Sequence, residues 1–350
     1  MLSLGFLLIL GAGAVASAPQ VQIQASSREI RPVRIAAVAF GHPVEVEVRD
    51  LPRDQARAAI ETALAEVAVL ERLTRTATPM PAEAAGGLGA LNAAAGTGPQ
   101  PVNPKLMPLL VRAQEFCFWS EGAHGPLGGD LYSLWGLRGA AAAESPPDPE
   151  SLQQAAGVAQ CDRLRLVVAN NTAELGVGSR LDLRGFVEGY AVDQAVEALR
   201  KNGVANGFVQ LGTLQRGIGG GADGRGWKIV LPRFPGTDNP AGRFLLKDRS
   251  AAILSILENP LRVADQALLP YINQRTGLPT PGMVGVATVT EMAVDAQALA
   301  IAMALTGPRE GQLRMGSLRP SPSVLWFLGN GTGIPLQADH RWSDVISASR

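Results

Sequence analysis

Leu181-Asp182-Leu183-Arg184-Gly185-Phe186-Val187-Glu188-Gly189-Tyr190-Ala191-Val192-Asp193 is the stretch from which the rest of the chain is best read. It is a strand end, a tight glycine turn and a helix start. Val192, Val196 and Leu199 then fall on one helical face, and Gly203 is a good stop. Asp182 and Glu188 flank the turn, so both can face a ligand held at the helix N-terminus. On local physics alone a plain helix cap is the better reading of Asp182.

Working outward, Leu164 to Val168 and Glu174 to Val177 read as a strand pair around Asn170-Asn171. Ile35 to Val48 holds strictly alternating Val44-Glu45-Val46-Glu47-Val48 and is interrupted at Gly41-His42-Pro43, which gives two strands or one bent strand. Asp50-Leu51-Pro52 opens a helix carrying Ile60, Leu64 and Val67, and Asn103-Pro104 caps another with Leu106, Leu110, Ala113 and Cys117 on its apolar face. Pro146 to Glu150 starts a short helix. Downstream, strands are expected at Phe208 to Leu211, Trp227 to Leu231, Ala251 to Leu254, Val284 to Val289 and Val324 to Leu328. A helix is expected from Ala293 to Leu305, ended by Gly307-Pro308. Strands and helices mix without regular alternation, so the class is α+β.

The chain has 350 residues, 46% of them hydrophobic, enough for a sizeable core in one large domain or two small ones. Its 31 basic and 31 acidic side chains cancel, which leaves no electrostatic footprint for nucleic acid. Residues 1–18 read as a signal peptide or an N-terminal anchor, because Leu2 to Val15 is apolar and Ala16-Ser17-Ala18 follows as a small-residue cleavage pattern. The apolar run is shorter than the roughly 20 residues that span a bilayer. Residues 19–350 form the remaining domain. Cys117 and Cys161 lack metal-binding spacing and are expected as buried free thiols.

Two tempting patterns carry little chemistry. Gly217-Ile218-Gly219-Gly220-Gly221-Ala222 resembles a dinucleotide fingerprint, but Trp227-Lys228-Ile229-Val230 reads as a strand where that fingerprint needs a helix. A flexible hairpin loop is the expectation. His42, His124 and His340 are scattered, with no Cys or carboxylate cluster beside them.

Asp182 to Asp193 resembles the D-L-G-G-I-A-K-G-Y-A-V-D motif of the FAD:protein FMN transferase (ApbE) family. Five further blocks follow the family order. Phe40-Gly41-His42 is similar to its Met-Gly-Thr turn. Ser120 to Pro126, with Leu134-Trp135-Gly136, is similar to G-A-F-D-P and its trailing L-W-G. Gly207 to Gly212 resembles a strand ending in a Gly pair, Ile272 to Pro279 resembles I-D-P-R-T-G-x-P, and Ala293 to Ala296 resembles the A-D-A helix start.

The resemblance implies a single large domain of mixed, mostly antiparallel strands with packed helices. It implies transfer of FMN from FAD to a Thr hydroxyl of an exported acceptor protein, with AMP leaving, in the periplasm or cell envelope. FAD would be the substrate, and Phe40, Ala123, His124, Gly125, Asp182 and Glu188 the flavin contacts. Mg2+ would be held by the Gly185 carbonyl and the Asp295 carboxylate. Several positions depart from the pattern. Glu188 replaces the usual Lys, Gly125 a carboxylate, His124 an aromatic and Asn273 an Asp. The Ser-Glu pair usual before the L-N motif is missing near Gly86 to Asn92, and Leu299 stands where the metal site has a hydroxyl, one helical turn after Asp295. Asp295 also suits the positive end of its helix without any metal. These departures keep open a flavin-binding or partner-binding relative without transferase activity, and an FAD hydrolase.

Overall fold

Alternation in Val44, Val46 and Val48 sets the first layer. Their side chains are buried, and the strand they define, β2 (His42–Val48), pairs antiparallel with β1 (Val33–Ala39). The computed structural model describes residues 31–76, 85–138, 145–233, 242–263, 266–329 and 336–338, so the expected signal segment and His340 lie outside the described residues. β1 and β2 open an eight-stranded sheet. It continues through β6 (Gly207–Leu211), β7 (Leu214–Ile218), β10 (Ser250–Ser255), β15 (Met283–Thr290), β16 (Ser323–Leu328) and β17 (Leu336–Ala338). Every pairing in it is antiparallel, as expected.

Both faces of this sheet are covered, which explains why all six residues of β10 are buried. Ala252 and Leu254 join the main core, while Ala251 and Ile253 join a second cluster with Trp227, Phe244, Val289 and Phe327. The second cluster lies beneath the hairpin of β8 (Trp227–Val230) and β9 (Arg243–Leu246). The glycine-rich run therefore ends β7 and turns into β8, with no helix after it.

The main core lies between the sheet and three helices, α1 (Arg53–Leu73), α6 (Val187–Lys201) and α7 (Ala293–Met315). α1 buries Ala56, Ile60, Ala63, Val67 and Leu70, a stripe at helical spacing. Each such Ile or Leu contributes about 1.5–3 kcal/mol on leaving water. α7 runs ten residues past its expected end at Leu305. Gly307 (φ 72°) does break the helix, but Pro308 starts a second stretch that reaches Met315. Pro is compatible with a first helical turn, so a Gly-Pro pair can mark a restart as well as a stop.

Smaller elements build the side of the molecule that bears the cleft. These are α2 (Leu88–Ala93), α3 (Met107–Trp119), α4 (Gly129–Leu134) and α5 (Pro149–Val158), with a small sheet ordered β3 (Gln100–Pro101), β5 (Thr172–Leu175), β4 (Leu164–Val167). Two further pairs are β11 (Leu261–Val263) with β12 (Gln266–Leu268), and β13 (Ile272–Asn273) with β14 (Leu278–Pro279). Asp148 caps α5, accepting from Ser151 N at 2.9 Å. α3 starts later than Asn103-Pro104 suggests, because the Asn103 side chain accepts from Lys105 N and forms a local turn.

Cys117 and Cys161 form a disulfide, which corrects the expectation of free thiols. Sequence separation gave no hint of it. α3 and the turn before β4 meet only in the folded chain, and the bridge spans that meeting.

Candidate functional site

The motif blocks that are far apart in sequence converge. Asp182 N donates to Pro126 O at 2.8 Å, which lays the Asp182 segment beside the Ala123-His124-Gly125 block; it is joined there by a single bridge between Gly128 and Arg180 rather than as the expected strand end. Gln274 N donates to Ala123 O at 3.1 Å, and its Nε2 donates to Gly125 O at 2.7 Å. Trp135 Nε1 donates to Gly277 O at 2.7 Å. Asn92 grips Leu181 from both sides, with Oδ1 accepting from its N at 2.7 Å and Nδ2 donating to its O at 3.0 Å. Each bond satisfies a backbone group in a buried loop, where an unpaired one would cost free energy. Asn92 and Gln274, inside the L-N motif and the Ile272 to Pro279 block, are positioning residues to which motif reading gave no role.

Beside these blocks opens a cleft of about 970 Å3, at the upper end of the ~300–1,000 Å3 usual for small-molecule sites. Phe40, Arg138, Arg184, Glu188, Tyr271 and Gln297 line it. Phe40 holds a left-handed backbone (φ 53°), and its N–H donates to Glu71 Oε1 at 3.1 Å. Two expected contacts, Phe40 and Glu188, thus reach the cleft.

The other expected contacts lie behind its wall. Ala123 and His124 are fully buried. Ser120 Oγ fixes their turn, donating to His124 O and accepting from His124 N. The imidazole stacks flat on Phe186, ring centroids 4.4 Å apart, rather than facing open space. Burial pushes its pKa down to about 3, opposed in part by the Gly185 backbone and the Asp182 carboxylate. Neither ring nitrogen completes a well-formed hydrogen bond among the described residues. Gly125 backs onto the disulfide, and a Cβ there would collide with Cys117 Sγ.

Asp182 does not cap α6, whose cap position is Phe186 without a side-chain bond. It accepts from Arg184 N at 2.8 Å and takes a bidentate ion pair from Arg138, with its own side chain only 4% exposed. Glu188 Oε2 accepts from Gln297 Nε2 at 2.8 Å, while Gln297 Oε1 accepts from Gly189 N at 2.8 Å. A Cβ at Gly189 would sit 2.5 Å from Ala293 O, so glycine there lets α6 and α7 begin side by side. Asp193 completes the junction. Its carboxylate accepts from Ala293 N and Val294 N at 2.8 and 2.9 Å and pairs with Arg216 of β7. In the cleft, burial also pushes the Glu258 carboxyl above the usual range, against the pull of His42.

The donor set does not fit a magnesium ion. Asp295 turns towards α3, where Arg112 Nε donates to its Oδ1 at 2.7 Å. Leu299 is fully buried and offers hydrocarbon. His124 and Ile301 pack against the α-carbon of Gly185, where a Cβ would strike them. Among the described residues no group of three or more His, Cys, Asp or Glu is placed to hold a metal. Mg2+ requires a near-octahedral shell of oxygens, and the three carboxylates here already engage nitrogen donors.

The ApbE family model matches residues 40–321. The chain belongs to the ApbE family. Among ApbE relatives, the FAD:protein FMN transferase of Treponema pallidum is 36% identical over 133 residues, 36% of this chain and 36% of that protein. That of Rhodobacter capsulatus is 27% identical over 281 residues, 77% of this chain and 51% of that protein. The chain thus spans about a third and about half the length of these two relatives. The crystal structure of the ApbE protein from Thermotoga maritima superposes with a TM-score of 0.80 at 20% identity, covering 90% of this chain and 99% of that one. The flavin transferase ApbE from Vibrio cholerae gives 0.77 at 18% identity, with 90% and 99% covered. At these identities the likeness establishes the ApbE fold alone.

Proposed function

We propose that this ApbE-family chain is a flavin transferase that moves FMN from FAD to a Thr hydroxyl of an acceptor protein and releases AMP. The observation that carries the reading is the convergence of four motif blocks, through the Asn92, Pro126, Gln274 and Trp135 hydrogen bonds, on one side of the cleft lined by Phe40 and Glu188. The hydroxyl oxygen would form a bond to the phosphorus nearer riboflavin. The P–O–P link breaks, AMP leaves with the bridging oxygen, and the hydroxyl proton is released. Such a transfer depends on in-line positioning and on offsetting phosphate charge. Phe40 presents an aromatic face for the isoalloxazine, and the Gln297–Glu188 hydrogen bond holds the first turn of α6 against the cleft. No step is assigned to Mg2+, because the residues do not fit it.

We place the protein in the periplasm or cell envelope, with an acceptor exported to the same compartment. The Leu2 to Val15 run motivates this, and the Cys117–Cys161 disulfide supports it, since disulfides persist in oxidising compartments. Among the described residues no helix is long and apolar enough to cross a membrane.

The test is incubation of purified protein with FAD and an acceptor domain bearing the target Thr, followed by in-gel fluorescence under denaturing conditions. A covalent flavin band on the acceptor is the expected result, and its absence with active controls refutes transfer. Leu299 and the Arg112–Asp295 pair favour one rival, a relative that binds FAD intact. Release of AMP separates the two.

A further inference from the structure

We infer that Arg184, backed by Arg138, binds the pyrophosphate of FAD in the cleft and supplies the positive charge that a divalent cation would otherwise bring; this rests on the flavin transferase reading. The starting point is the mismatch between the expected metal ligands and the residues present. A dinucleotide brings two phosphate charges into the cleft, and they must be offset by something. Asp295 is committed to Arg112, on the α3 side of α7, and neither residue lines the cleft.

Three guanidinium groups line it, Arg75, Arg138 and Arg184, and the last two meet at the Asp182 turn. Arg138 is clamped on the nearly buried Asp182, so its plane is fixed before any ligand arrives. Arg184 is different. Its guanidinium lies over the Tyr132 ring, 4.9 Å from the centroid, and one of its nitrogens donates to Leu137 O. Among the described residues no carboxylate lies within ion-pair distance of it. It therefore keeps most of its five donors for an anion, in a fork that matches phosphate oxygens two at a time. Stacking on Tyr132 fixes the fork in place, so little side-chain entropy is lost on binding. Arg184 occupies a position where the family motif has Gly, and Glu188, one turn later, occupies the position of its Lys.

The experiment compares FAD and riboflavin by flavin-fluorescence titration on the full chain, in EDTA and in magnesium chloride, for wild type, Arg184→Ala and Arg184→Lys. Arg184 is partly exposed, so both variants should fold, and far-ultraviolet circular dichroism checks it. The expected result is FAD affinity that EDTA leaves within twofold. Arg184→Ala should weaken FAD at least tenfold, Arg184→Lys should recover part of the loss, and riboflavin binding should not change in either variant. FAD affinity unchanged in Arg184→Ala, or abolished by EDTA in wild type, overturns the inference while leaving the flavin site standing. Failure of wild type to bind either flavin overturns the flavin reading itself, and this inference with it.

Discussion

His124 and Asp193 are polar side chains sealed into the core, and each has a measurable signature. The His124 imidazole has its pKa pushed down to about 3 from an ordinary 6.5. Below pH 6.5 the unfolded chain binds a proton there that the folded chain refuses until about pH 3. Stability is therefore fully present above pH 6.5 and is lost as pH falls through that window, with a limiting slope of about 1.4 kcal/mol per pH unit. His124→Phe should flatten this acid limb in urea unfolding measured from pH 7 to pH 4, whatever its stability at neutral pH. Asp193 stands with Arg216 in the core, and both are at most 5% exposed. Asp193→Ala leaves a buried cation and two helix N–H groups without a partner, so it should cost about 3–5 kcal/mol in the same assay. At this scale the sequence was only partly legible. Phe40 and Glu188 line the cleft, but the stacking of His124 on Phe186 and the turning of Asp295 to Arg112 depend on neighbours 62 and 183 positions away. Local pattern carries no record of such partners.

Elements were easier to read, because their signals are periodic and local. α1, α6, β2, β15 and β16 fall where apolar spacing puts them. The misreadings occur where one local signal has two meanings. Gly307-Pro308 both ends one helical stretch and opens the next, and Asn103 makes a turn before α3 rather than its cap. Short strands such as β11 and β13, two or three residues long, lack the length to show any period. The contact between α3 and the Gly125 loop yields a sharper prediction. A Cβ at Gly125 would meet Cys117 Sγ and come within 2.8 Å of Cys117 Cβ. Gly125→Ala should lower stability by about 1–3 kcal/mol through overpacking. In a Cys117→Ala, Cys161→Ala background the Sγ contact is gone while the 2.8 Å approach to the Cβ at 117 remains, so the same change should cost less but not nothing, and a double-mutant cycle from thermal unfolding measures the coupling.

For the whole molecule, the sheet is the rigid reference and the side that bears the cleft is stitched to it. The disulfide closes a loop across 44 positions that contains α4, α5 and the Ala123-His124-Gly125 block. Constraining a loop of that length contributes about 4 kcal/mol in the chain-entropy description. Thermal unfolding with and without dithiothreitol should show a clear drop in Tm on reduction, and Cys161→Ser should show the lower value in both conditions. The α+β class and the antiparallel bias were legible from element order and the family motifs, whereas the coverage of both sheet faces was not. β8 and β9 find their place on the second face only through Trp227 and Phe244, which look like ordinary strand residues in sequence. The sulfur atom behind Gly125 also sets a direction for descent. A lineage returning towards the acidic family pattern at position 125 has no room for the new side chain until the bridge is given up. The bridge, by contrast, can be lost at any time without a prior change at position 125. The two substitutions are thus easier to accumulate in one order than in the other, and ancestral reconstructions of this branch should favour bridge-free intermediates.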